Sequence, residues 1–320
     1  MVTKEEFYYD SADKKSKIHA VKWIPDIEIK GVLQIAHGML EHIDRYDYFA
    51  QFMAAHGILT VGNDHLGHGA SVMTEEDRGF FGEGDGNKSV IDDMRKLREI
   101  LKEEYEELPY FILGHSMGSF LVRQYISIYD DLDGALLIGT GYQPYSSVKA
   151  GLIISKLMAV IKGCRYRSKF INKLTIGGNN KYFEPAKTKS DWLSRDEEVV
   201  DDYIKDKRID FIFTLNAFYY MFKGMLYLYN KDYMDKIPKN LPIILLSGKL
   251  DPVGNMGKDV KRLYDVYKKE LTDVTIKLYK DDRHEILNEL DKENIYEDII
   301  NWIYDKTAKI NKIPNFPTNF

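Results

Sequence analysis

The chain has 320 residues, 44% apolar and 30% charged, with 45 Lys and Arg against 50 Asp and Glu and a net charge of −5. This length suits one large domain or two smaller ones and buries enough surface to hold a core without disulfides or structural metal, while the mild acidity argues against nucleic acid as a partner. The single Cys164 excludes an internal disulfide and a cysteine zinc site, no apolar run approaches the roughly 18 residues of a membrane span, and the opening MVTKEEFYYDSADKKSK lacks the apolar stretch of a secretory signal, so a cytoplasmic protein is expected.

In chain order, the alternating segments Glu5–Tyr9 and Ile18–Trp23 flank the polar turn SADKKS and predict an antiparallel hairpin. Six near-continuous apolar runs follow: Val32–Ala36, Ile58–Val61, Tyr110–Leu113, Ala135–Ile138, Ile243–Leu246 and Val274–Leu278. Such runs suit strands covered on both faces, as in a parallel sheet. Between them, Val90, Met94, Leu97 and Leu101 form one helical stripe, and Ile295, Ile299 and Trp302 form another. The pattern predicts an α/β fold with a mostly parallel eight-stranded sheet flanked by helices.

The alternation breaks over residues 141–238, where LIISKLMAVI, DEEVVDDYI and FTLNAFYYMFKGMLYLY read as helices. A helical cap inserted between two strands is the economical reading, dividing the sheet domain into 1–140 and 239–320. The tail NKIPNFPTNF is punctuated by proline and is expected to run irregularly over the surface.

The strongest local signal is Gly114-His115-Ser116-Met117-Gly118, placed directly between the strand YFIL and the helical pattern SFLVRQYISIY. A nucleophile on so sharp a turn needs small neighbours, and the following helix N-terminus favours developing negative charge. Serine also needs a base, and the base an acid to orient it. Asp251 follows the strand PIILLSG, and His284, the only histidine after Ser116, follows the strand VTIKLYK. Ser116 as nucleophile, His284 as base and Asp251 as its partner are therefore expected to meet at the C-terminal edge of the sheet. Two backbone donors should hold the oxyanion: the amide of Met117 and, from the loop His37-Gly38-Met39, the amide of Met39.

Together, HGMLEHIDRYDYFAQFMAAHGILTVGNDHLGHGAS, GHSMGS, SDWLSRD, SGKLDPV and RHEILNE resemble the monoacylglycerol lipase and lysophospholipase branch of the α/β-hydrolases. The resemblance implies the same triad of Ser116, Asp251 and His284 and the same oxyanion amides of Met39 and Met117. It further implies that Glu41 and Arg45 lie near the glycerol end of the acyl pocket, although their four-residue spacing fits a structural ion pair slightly better. Pro252 follows the expected aspartate, and Gly254 stands where an animal-type lipase carries a reactive cysteine, so thiol-directed inhibition is not expected. The last cap segment, KRIDFIFTLNAFYYMF, is unusually aromatic for the branch.

Asp64, His65 and His68 in NDHLGHGAS lack a Glu between the histidines and read as a strand-end turn rather than a metal site. EGDGN, Glu83–Asn87, reads as a plain turn. The run LIISKLMAVIKGCRYRSK, with Lys162, Arg165, Arg167 and Lys169 at its end, fits two readings equally. It is either a cap helix touching a membrane surface, basic residues towards headgroups, or one packed over the sheet domain. The stripe Phe218, Tyr219, Phe222, Leu226 and Tyr229 reads as cap core and pocket wall. The expected activity is cofactor-free hydrolysis of single-chain lipid esters, monoacylglycerol or lysophospholipid, through an acyl-enzyme. Small soluble esters or peptides form the alternative, and a non-catalytic binding protein is disfavoured by the complete triad.

Overall fold

The structure, a computed structural model, describes residues 1–310, so the tail NKIPNFPTNF lies outside the described residues. Eight strands form one sheet: β1 (Thr3–Asp10), β2 (Lys17–Ile24), β3 (Gly31–Ala36), β4 (Ile58–Asn63), β5 (Tyr110–His115), β6 (Gly134–Ile138), β7 (Ile243–Gly248) and β8 (Val274–Tyr279). Their order is β1-β2-β4-β3-β5-β6-β7-β8. β1 and β2 form the antiparallel hairpin, β2 joins β4 antiparallel, and all remaining pairs are parallel. Every residue of β3, β4, β5, β6 and β7 is buried, which is why these strands read as unbroken apolar runs.

Helices cover both faces. On one side lie α2 (Gly86–Tyr105), α3 (Met117–Tyr125) and α8 (Lys258–Glu270), whose Met94, Leu121 and Leu263 pack against Val32, Ile112 and Leu245. On the other lie α1 (Asp47–Ala55) and α9 (Lys292–Ile310), whose Phe49, Met53, Ile299 and Trp302 pack against Leu33, Phe111 and Leu136. The predicted stripes of α2 and α9 are these buried faces. Even the polar Gln34 in β3 is satisfied, accepting from the Tyr110 hydroxyl at 2.6 Å and donating to the Met94 carbonyl at 3.0 Å.

Between β6 and β7 the chain adds no strand to the sheet and is mainly helical, with α4 (Tyr145–Lys162), α5 (Lys169–Thr175), α6 (Glu197–Lys205) and α7 (Leu215–Tyr227), and a single antiparallel bridge joins Arg167 to Thr214. Asp196 caps α6 through the Glu198 and Val199 amides, and Thr214 caps α7 through that of Ala217. Along α4 and α5, Leu157, Val160, Ile161 and Phe170 are exposed. Two of the four basic residues beside them point elsewhere. Arg165 bonds Asp77 at 3.0 Å, and Arg167 donates to the carbonyls of Glu76 and Arg78 at 3.0 and 2.9 Å, so both tie this segment to the sheet domain. Among the described residues no helix is long and apolar enough to cross a membrane.

Candidate active site

The parallel register sets the C-terminal ends of β3 and β5 side by side, with Ala36 opposite Gly114 and His115 opposite Ile138. The loop after β3 and the turn after β5 therefore emerge together. In that turn Ser116 takes φ +50° and ψ −117°, a conformation side-chain-bearing residues rarely adopt, and it is fixed by the hydrogen bond its amide donates to the Ile138 carbonyl at 3.0 Å. A Cβ on Gly114 would stand 2.6 Å from the Gly118 carbonyl carbon. One on Gly118 would overlap the Ala36 carbonyl oxygen and stand 2.7 Å from that of His37. The small flanking residues are thus required by backbone approach on both sides of the serine.

β7 and β8 deliver the other two groups. Asp251 is fully buried; its Oδ1 accepts from the Val253 amide at 2.8 Å and its Oδ2 from the Ser247 hydroxyl at 3.4 Å. His284 Nδ1 lies 2.9 Å from Asp251 Oδ1, a close approach whose angle falls short of an aligned hydrogen bond. The imidazole lies between the rings of His115 and Trp192, with centroids at 4.8 and 4.9 Å. Ser116 and His284 line one cavity of about 420 Å³, together with Met39 and Met117. The side chains of Ser116 and His284 share no hydrogen bond among the described residues, and in free enzymes such catalytic bonds are often long until substrate arrives. The amides of Met39 and Met117 have no backbone partner among the described residues.

Glu41 lines the cavity, while Arg45 stands behind its wall. They do not form the expected i,i+4 pair, because Glu41 precedes the short 3-10 turn Ile43–Tyr46 and so shares no helical face with Arg45. Instead Glu41 accepts from the Tyr46 hydroxyl at 2.6 Å and binds His115 Nδ1 at 2.7 Å. Arg45 grips Glu285 bidentately, both bonds 2.7 Å, and stacks 4.7 Å from the Tyr203 ring. Burial opposes ionisation of Glu41, yet the charge and hydrogen bond of His115, with Arg45 nearby, hold its carboxyl below the ordinary range. Burial likewise works against His115⁺, and the Glu41 charge and hydrogen bond overcome it and raise the imidazole. The result is a buried network in which Glu41 pairs with His115 and Glu285 with Arg45.

The sequence by itself assigns no role to Glu285, His115, Trp192 or Tyr203. Each of the first three sits inside a quoted motif: beside His284, inside the serine turn, and in SDWLSRD. Trp192 and Leu193 accept from the amides of His284 and Glu285 at 3.3 and 2.7 Å, fastening the inserted segment to the histidine loop. The remaining cavity wall is mostly apolar, with Gln143, Ser147 and Thr175 as its polar members, and comes mainly from the insertion: Val148, Ile154, Ile171, Met221, Phe222 and Met225 among others. Of the predicted aromatic stripe only Phe222 reaches the cavity; Phe218 is packed in the core. Asp64 is fully engaged, by the amides of Ile43 and Ala70 at 2.7 Å each and by His19 Nδ1 at 2.9 Å, consistent with a turn-building role.

Among known proteins, the chain is 27% identical over 292 residues to the monoacylglycerol lipase of Mycolicibacterium smegmatis, covering 88% of this chain and 90% of that one. It superposes on a thermostable carboxyl esterase from Bacillus coagulans, solved with glycerol, at a TM-score of 0.89 and 27% identity, covering 96% and 100% of the two chains. The monoglyceride lipase of Saccharomyces cerevisiae shares the fold at a TM-score of 0.76 and 18% identity, covering 96% of each chain. The profile of the family described as serine aminopeptidase, S33 matches residues 27–291. A strained serine turn, a buried Asp–His pair at the same sheet edge and a family match over most of the sequence lead to one assignment: the chain belongs to the serine aminopeptidase S33 family and is a serine hydrolase of the α/β-hydrolase fold.

Proposed function

We propose that this enzyme hydrolyses monoacylglycerol-type esters, a single acyl chain on a neutral polyol, through an acyl-enzyme. Ser116 Oγ attacks the ester carbonyl while His284 Nε2 takes its proton, and Asp251 stabilises the imidazolium. The amides of Met39 and Met117 receive the charge that develops on the carbonyl oxygen, each contributing roughly 3–4 kcal/mol. His284 then protonates the departing alkoxide and next activates the water that releases the fatty acid.

The carrying observation is the cavity's lining. Apolar side chains from the insertion form most of the wall that meets Ser116, which suits an acyl chain. The polar groups in the same wall include Glu41, Glu285 and Tyr203, whereas their partners Arg45 and His115 lie behind it. Carboxylate oxygens accept hydrogen bonds from hydroxyls and repel phosphate, which favours a glycerol leaving group over a phosphate-bearing one.

One panel tests the reading: monoacylglycerol against lysophosphatidylcholine at matched chain length, beside p-nitrophenyl esters of two to sixteen carbons. Turnover should favour the neutral glyceride and the longer esters, and Ser116→Ala should abolish both turnover and fluorophosphonate labelling. An optimum at two to four carbons without glyceride turnover refutes the lipid assignment.

A further inference from the structure

The loop NDHLGHGAS has no part in the chemistry described above, yet it is built with unusual care. Asp64 ties it to Ile43 and Ala70, the Ser71 hydroxyl donates to the Asp64 carbonyl at 2.7 Å, and His65 and His68 are fully buried. Its point of contact with the site is His37, also fully buried, whose ring packs 4.2 Å from that of His65 and 5.0 Å from that of His68. The His65 amide donates to His37 Nε2 at 3.0 Å, so Nε2 carries no proton and Nδ1 does. That Nδ1–H donates to the Gly38 carbonyl at 2.8 Å.

We infer that His37 is a positioning residue that aims the Met39 amide at the oxyanion. The Gly38–Met39 peptide is trans, so its N–H points opposite to its carbonyl. With the carbonyl held by His37, the Met39 N–H is turned away from the histidines and towards the side where Met39, Ser116 and Met117 line the cavity. Two further features keep the peptide in place. A Cβ on Gly38 would stand 3.0 Å from Ser116 Cβ, which puts this backbone directly against the nucleophile, and Leu40 takes φ +57° just beyond. The histidine loop thereby sets the tautomer of His37, and His37 sets the donor.

Two substitutions separate the two bonds of the ring. Asn places an N–H where Nδ1 stands but does not reach His65, whereas Gln reaches His65 and leaves the Gly38 carbonyl unheld. His37→Gln should lower kcat by about a hundredfold or more with KM within roughly threefold, the signature of a lost oxyanion donor. It should also weaken an alkyl trifluoromethyl ketone, whose hemiketal oxyanion fills the same place, by a comparable factor. His37→Asn should stay within about tenfold of wild type on both measures. Wild-type kcat and ketone affinity in His37→Gln, or an equal fall in both variants, overturns the assignment. The inference rests on the serine-hydrolase mechanism above, and fluorophosphonate labelling separates the two failures. Labelling that is absent from wild type, or retained in Ser116→Ala, fails the mechanism. Ser116-dependent labelling with an unaffected His37→Gln fails the role of His37 alone.

Discussion

Gly118→Ala tests the architecture of the serine turn most directly. The added methyl would overlap the Ala36 carbonyl oxygen and stand 2.6 Å from its carbon and 2.7 Å from the His37 oxygen, all of them backbone atoms. Carbon atoms pack comfortably at about 3.5–4.0 Å, so α3 and the end of β3 must part by roughly 1 Å. Elsewhere in a helix the same substitution gains about 1 kcal/mol from propensity; here the overlap should reverse the sign and cost roughly 1–3 kcal/mol. Because β3 leads straight into His37-Gly38-Met39, the displacement also moves the oxyanion amide relative to Ser116. A misplacement of about 1 Å is worth on the order of a hundredfold in rate. Urea midpoints and kcat on a p-nitrophenyl ester measure the two effects. Gly178→Ala is the control, since that residue has an ordinary φ of −93° and open space around it, and should change neither. A Gly118→Ala enzyme with wild-type kcat and midpoint would refute the claim that backbone contact dictates glycine there.

Arg45→Met should cost roughly 3–5 kcal/mol by leaving the buried Glu285 carboxylate unpaired, and adding Glu285→Gln should return part of it; additive losses in denaturation would show the pair is not coupled. Burial pushes the Asp93 carboxyl up to about 7, despite bonds from the Ala12 amide and the Ser11 hydroxyl. The folded protein thus keeps a proton that the unfolded chain loses near pH 4. Stability from this group is full below that pH and lost as pH rises through about 7. Between pH 5 and 8, Asp93→Asn should therefore gain roughly 2–3 kcal/mol relative to wild type, while the buried His65 and His68, lowered to about 3 and about 4, act in the opposite direction in both proteins and cancel; a constant gap between the urea midpoints counts against it. The exposed Leu157, Val160 and Ile161 should carry transient contact with lipid, so replacing all three by Ser should reduce sedimentation with neutral phosphatidylcholine vesicles by about tenfold or more, and unchanged binding would exclude this face.

Much of the fold and of the candidate site is legible in the primary structure because both are written in short-range patterns. Buried parallel strands announce themselves as apolar runs, and the strand–turn–helix around Ser116 requires glycines at fixed offsets. Asp251 and His284 could be chosen because each follows such a run, and strands of one parallel sheet deliver their ends to one edge. The pairing of charges was not legible in the same way. Glu41 and Arg45 are four residues apart, a spacing that on a helix favours their union, yet they bond to His115 and Glu285, 74 and 240 residues away. Arg165 and Arg167 likewise sit beside an exposed apolar helix but are drawn to the sheet domain. Periodicity says which face of an element is buried; it carries no information on which ion waits on the facing element. That choice, like the shape of a cavity walled by segments distant in the chain, is made only when the layers close and each desolvated charge must find a partner within bonding distance.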